Sequence, residues 1–234
     1  MAISRAQLAK ELEPGLNALF GMEYDRYDAE HAEIYDTESS DRAFEEEVML
    51  SGFGNAPLNN AFSSSFTGGD GKELCATDHP LGGGGTFRNE PSTAADLNET
   101  SLENALIDIS TFVDERNMII ALRGMKLIIP PQLQFIADRL LESTLRPSTS
   151  DNDVNAIKNM GMLPDGYIVN HFLTDTDAFF IKTDAPRGFV HFERAPLATS
   201  MEDDFGTGNM RFKARERYSF GFSDPRCVFG SPGA

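Results

Sequence analysis

The side chains able to do chemistry are few and scattered. Four histidines stand at His31, His79, His171 and His191, and two cysteines at Cys75 and Cys227. Cys75 and His79, four residues apart, have the spacing of half a zinc site. A structural zinc needs four ligands, and no second Cys/His pair follows with ligand spacing. His171 and His191 fall in stretches that read as strands, where the expectation is a hydrogen-bonded sheet histidine. Gly68-Gly69-Asp70-Gly71-Lys72 invites a phosphate-loop reading, but a Walker loop requires glycine at 66 and a hydroxyl residue at 73, where Phe66 and Glu73 stand. No Gly-x-Ser-x-Gly elbow is present, and Glu45–Glu47 and Asp203-Asp204 read as solvated charge runs. The expectation is therefore a protein that is no enzyme, with no cofactor and no metal.

These residues must be positioned by ordinary secondary structure, and the clearest stretch runs from Asp96 to Leu145. Leu102, Ala105, Leu106, Ile109 and Val113 make one apolar stripe, so a helix is expected there, with Thr100 and Glu103 as its capping box and Asn117 as a left-handed C-cap. An apolar run, Met118–Leu122, and a turn at Arg123-Gly124 come next. Met125–Ile129 reads as a buried strand stopped by Pro130-Pro131. Pro131 suits the first turn of a second helix, whose Leu133, Ile136, Ala137, Leu140 and Leu141 share a face. This pattern is the core of an α+β domain.

Around that core the expectations are shorter. A helix capped by Ser4 runs to about Leu12, and residues 1–57 form an extended arm whose tyrosines and phenylalanines dock on something else. Residues 58–67 are a frayed helix end, Lys72–Ala76 a short strand and Gly82–Gly85 the loose tip of a hairpin. A polar loop over 146–153 leads to a short helix, Val154–Met160, ended by Gly161. Gly166–Leu173 and Ala178–Thr183 read as strands around a turn at Thr174–Asp177, and Gly188–Arg194 as another. In Met210–Phe222, Phe212, Ala214, Glu216, Tyr218 and Phe220 oppose Arg211, Lys213, Arg215 and Arg217, the alternation of a long strand. Residues 230–233 are expected to fray.

Composition narrows the function classes. The 234 residues suffice for one substantial core with an appended arm. No window approaches the ~20 apolar residues of a membrane span, and the first ten residues lack the apolar run of a secretory signal. With no export signal, two cysteines are expected to be reduced thiols. The net charge is −17, and residues 1–50, with 13 acidic and 4 basic side chains, contribute −9 of it. Such a surface repels phosphate backbones and argues against sequence-specific nucleic-acid binding.

Across residues 66–146 the text resembles the major capsid proteins of tailed bacteriophages. The resemblance is carried by Gly68-Gly69-Asp70-Gly71-Lys72-Glu73-Leu74-Cys75, Thr77-Asp78-His79-Pro80-Leu81 and Asn98-Glu99-Thr100-Ser101-Leu102-Glu103, followed by the helix, the strand ending at Pro130 and the second helix. Ser40–Glu47 resembles that family's N-terminal arm. Ala214–Gly221 with Ser223-Asp224-Pro225-Arg226 resembles its returning C-terminal strand. The resemblance implies the capsid fold shared by tailed phages and herpesviruses: 1–57 as N-terminal arm, 58–96 as spine-helix remnant and Gly-rich hairpin, 97–200 as axial domain and 201–234 as returning peripheral-domain strand and tail. It implies a subunit that self-assembles into hexamers and pentamers with scaffolding and portal proteins as partners. The shell would enclose DNA without reading it, contact no membrane and form in the host bacterial cytoplasm. The family's extended loop and long spine helix have no counterpart here, since Gly54-Asn55-Ala56-Pro57 runs straight into Leu58-Asn59-Asn60; the chain reads as a subunit with that segment deleted. The expected subunit interface pairs Phe44, Glu45, Glu46 and Glu47 of the arm with Arg211, Lys213, Arg215, Arg217 and Tyr218. Two other readings stand beside it: an α+β interaction module with an acidic docking arm, and a carboxylate-based hydrolase.

Overall fold

The computed structural model describes residues 36–39, 56–145, 154–186, 188–203 and 210–234. The helix expected from Ser4, most of the arm, and the polar loop at 146–153 lie outside the described residues. The centre is a four-stranded sheet of β4 (Gly124–Ile129), β5 (Tyr167–Val169), β6 (Phe179–Thr183) and β9 (Val228–Ser231), in the order β5-β4-β6-β9. Strand β5 runs parallel to β4, while β6 and β9 are antiparallel to their neighbours.

The sheet is covered on both faces, which is why its strands read as unbroken apolar runs. Alternation sends Leu127, Ile129, Phe179, Ile181 and Phe229 to one core and Ile128, Phe180 and Val228 to the other. The first core is closed by α2 (Glu99–Ser110) and α3 (Gln134–Glu142), through Leu102, Leu106, Ile109, Ala137 and Leu140. The second is closed by α1 (Ala56–Asn59), Leu74, Cys75, Phe189 and Cys227. As expected, Pro131 opens a 3-10 turn, Pro131–Leu133, that leads into α3. Helix α4 (Ala156–Met160) ends at left-handed Gly161 and is capped by Asn155.

Several expectations are corrected. Asn98, not Thr100, caps α2: its side chain accepts from Ser101 N–H while Ser101 Oγ accepts from Asn98 N–H. The helix stops at Ser110, and Asn117 (φ 64°) takes its left-handed conformation in a later turn, between Asp114 and Met118. Met118, Ile119 and Ile120 are exposed, because a β-bridge between Val113 and Ile119 folds them into a surface loop. Gly124 is a buried strand residue, where a Cβ would lie 2.8 Å from Leu106.

Residues 72–76 form no strand, because Asn89 supplies what a neighbouring strand would: it accepts from Ala76 N–H and donates to Leu74 O. The hairpin lies further on, at β2 (His79–Pro80) and β3 (Thr86–Phe87), with its tip tied to Glu115 through Gly82 and Gly83 N–H. Strands β5 and β6 are not a hairpin, since they flank β4 on opposite sides. His171 lies in an exposed turn after β5. Residues 228–231 do not fray but make the buried edge strand β9.

The remaining sheet has the order β1-β7-β8, from β1 (Asp36–Ser39), β7 (Phe189–Asp203) and β8 (Met210–Phe222). Strand β7 is more than twice the expected length, because its outer half pairs along β8 instead of burying an apolar face.

Candidate assembly interface

Among the described residues, the β7–β8 hairpin is the large element that leaves the body. Its root is packed: Phe189, Val190, His191 and Ser219 are buried, and the His191 ring stacks on Phe220 with centroids 4.5 Å apart. Tyr218 meets both rings edge-on, at 5.8 and 5.5 Å. Outward from Ala195 on β7 and Arg217 on β8, no described side chain is buried. Register shifts between Glu193, Ala195 and Ala198 mark this boundary. Such bulges sharpen strand twist, so they set the direction in which the outer ribbon points.

The sequence-predicted basic residues divide as follows. Lys213, Arg215 and Arg217 stand two apart on one face, opposite Ser200, Ala198 and Ala195. All three are exposed, and none forms an ion pair among the described residues. Tyr218 belongs to the other face, at the root. Arg211 is paired in register with Glu202. Phe44, Glu45, Glu46 and Glu47 lie outside the described residues. Residues 36–39 reach this sheet at another place: β1 adds a parallel edge strand to the root, Asp36 opposite Val190 through Ser39 opposite Glu193. Four acidic and hydroxyl residues at the centre of an acidic stretch carry no strand signal, so sequence reasoning missed it.

A second group missed from sequence braces the hairpin's base. Buried Arg226 donates from Nε to Val113 O at 2.7 Å and from its terminal nitrogens to Glu115 (2.8 Å) and Asp224 (3.2 Å). Its guanidinium lies 4.5 Å over the Phe87 ring. Glu115 also accepts from Gly82 N–H, and that bond together with Arg226 holds its carboxyl below the usual range. The readable signal was Asp224-Pro225, an N-cap followed by proline, which forms the 3-10 turn Pro225–Cys227. Beside it, His79 is wholly buried between Asp70 and Asn89.

No aspartate or glutamate is buried among the described residues, so the converging cleft that a carboxylate hydrolase needs is absent there. Among the described residues no group of three or more His, Cys, Asp or Glu could hold a metal ion, and no helix is long and apolar enough to cross a membrane. Cys75 and Cys227 are free and buried, and burial pushes both thiols well up.

A family model described as phage capsid protein matches residues 40–230. Among solved structures, the chain is similar to a virus-like particle from Pyrococcus furiosus, at 12% identity and TM-score 0.39, covering 61% of this chain and 55% of that one. It is similar to a chain of Mycobacterium phage Che8 (15% identity, TM-score 0.39, 75% of this chain and 58% of that one). It is also similar to the capsid of an empty GTA particle (15% identity, TM-score 0.33, 81% and 66%). The chain thus spans between 55% and 66% of the length of these structures. No curated protein matches it.

Proposed function

The chain belongs to the phage capsid protein family, and from that premise we propose that it is a structural subunit of a tailed-phage head that acts by self-association and turns over no substrate. The observation that carries this reading is the family match over residues 40–230. The projecting β7–β8 ribbon supports it, because a two-stranded ribbon without a packed face is marginal alone and gains stability from a neighbour. Copies of the chain close into hexamers and pentamers with scaffolding and portal proteins as partners, inside the host bacterial cytoplasm. The net charge of −17 suits a wall that encloses DNA without gripping it.

The proposal keeps the four-part division of the chain, with 1–57 as arm, 58–96 as spine remnant and Gly-rich hairpin, 97–200 as axial domain and 201–234 as returning strand and tail. Within it, Phe44 and Glu45–Glu47 of one copy meet the Lys213, Arg215, Arg217 face of another, with Arg211 and Tyr218 flanking. It also includes a shortening: the extended loop and most of the spine helix are missing. The longest described helix has 12 residues, and α1, with four, stands where the spine helix would end. The missing segment falls between Pro57 and Leu58, where Gly54-Asn55-Ala56-Pro57 runs straight into Leu58-Asn59-Asn60.

Electron microscopy of the purified chain tests the reading. Low-order oligomers without closed shells are expected, and a family-like loop and spine segment inserted between Pro57 and Leu58 restores shells. A chain that stays monomeric at every concentration, with and without the insert, overturns self-association. Regular icosahedral particles from the chain as it stands overturn the shortening.

A further inference from the structure

His79 sits between two hydrogen-bond acceptors. Its Nδ1 is 2.6 Å from Asp70 Oδ2 and its Nε2 is 3.0 Å from Asn89 Oδ1. The orientation of the Asn89 amide is not free. Its nitrogen donates to Leu74 O (2.7 Å), Pro225 O (2.8 Å) and Val228 O (3.1 Å), and its oxygen accepts from Ala76 N–H (2.9 Å). Flipping the amide would set an oxygen against three carbonyls and a nitrogen against an N–H. Nε2 therefore carries a hydrogen. Nδ1 then needs one too if Asp70 is ionised, or Asp70 itself carries that hydrogen and donates it to Nδ1. In both arrangements the pair holds one proton more than a neutral histidine beside a carboxylate.

We propose that the His79–Asp70 pair is a proton-held clasp, closed while the shared proton is present and opened when it is lost. Without that proton a neutral imidazole has one N–H for two acceptors, and the unmatched contact becomes oxygen against lone pair beside an imidazole that is itself wholly buried. The surrounding groups do not replace it. Phe87 stacks on the imidazole at 4.8 Å, Arg226 lies over Phe87, and the half-buried Glu90 has its carboxyl pushed up first by burial and then by Glu73. The neighbouring Lys72 and Asp78 are engaged with each other at 2.6 Å.

What the clasp holds is the seat of the hairpin. Asp70 Oδ1 accepts from Lys72 N–H and Gly68 N–H bonds Lys72 O, so Asp70 anchors the 68–72 turn. That turn lies on the root of β8, where a Cβ on Gly68 would stand 2.7 Å from the Phe222 ring. Gly68, Gly69, Phe220 and Phe222 line a common apolar cavity of about 180 Å³ with Pro57 and Leu74. Opening the clasp frees the turn and loosens the base from which the outer ribbon projects.

Ring-nitrogen NMR of the full chain, with His79 assigned by His79→Gln, tests the protonation directly. In a pH series kept below the range of the buried thiols, the expected result is hydrogen on both sides of the His79–Asp70 contact at the acid end and its loss at the alkaline end. Over the same range the thermal midpoint falls by several degrees. Asp70→Asn can donate its amide N–H to Nδ1 and needs no shared proton, so its midpoint should stay flat. A neutral His79 beside an ionised Asp70 throughout, or equal pH dependence in the wild type and Asp70→Asn, overturns the clasp. The spectrum of the wild type decides the matter even if the variant does not fold.

Discussion

Asn89 does with one side chain what a strand does with a backbone. From a side chain that is itself wholly buried, it joins the 74–76 segment, the turn at Pro225 and the edge strand at Val228. Asn89→Ala strands several of these buried groups at ~1–3 kcal/mol each, so a loss of at least ~3 kcal/mol is expected, read as the shift in urea midpoint. Asn98→Ala, by contrast, removes only an exposed cap and should cost about 1 kcal/mol. The two thiols give a pH signature of their own. Burial raises both above the ordinary value of 9.0, so above about pH 9 the folded chain keeps two protons that the unfolded chain releases. Stability is then fully present below that pH and falls as pH rises, by roughly 1.4 kcal/mol per thiol for each unit. A Cys75→Ala, Cys227→Ala double variant should flatten this alkaline limb in urea melts, and iodoacetamide should leave both thiols of the native protein unlabelled at pH 8.

At the scale of elements, the sequence carried the parts whose period is strong. The α2 stripe, the β4 run, the Pro131 start and the Gly161 stop were legible because each is set by neighbours in the chain. Leu106→Ala or Ile109→Ala should cost ~2–5 kcal/mol, as for other buried large-to-small changes, and lower the thermal midpoint of the full chain; unchanged midpoints would contradict the assigned face. Pairing was less legible. Nothing in Gly166–Leu173 says that it joins β4 in parallel, and nothing in Val228–Ser231 says that it belongs to the central sheet, because those choices are made by cores distant in sequence. The acidic edge strand β1 and the outer half of β7 were invisible for the opposite reason, since neither carries a periodic apolar pattern in its sequence. The basic stripe of the candidate interface could be read from alternation in β8, whereas the His79, Asn89 and Arg226 networks depend on residues far apart in the chain. Hydrogen exchange should separate the two kinds of element: slow amides in β4 and β6, fast ones from Ala198 outward on β7 and from Arg215 outward on β8.

For the molecule as a whole, charge is the quantity that assembly must manage. Copies carrying −17 each repel one another, and the exposed Lys213, Arg215 and Arg217 face is a local exception on which a neighbour's carboxylates can settle. In assembled material, a double-mutant cycle of Glu46→Gln with Arg215→Gln should show a coupling of ~0.5–1 kcal/mol that shrinks with added salt; zero coupling would remove this contact. The placement of β9 has a further consequence, for the timing of synthesis. The strand that completes the central sheet follows the projecting hairpin in the chain, and it pairs with β6 from about fifty positions earlier, Phe179 opposite Ser231. A ribosome must therefore deliver the whole ribbon before the sheet can close. Until then the groups that Val228 and Phe229 will cover stay open, and a nascent subunit cannot offer its neighbours a finished surface. In the proposed assembly, subunits become ready for one another only after their translation has passed the hairpin, which would keep half-made chains out of a growing shell.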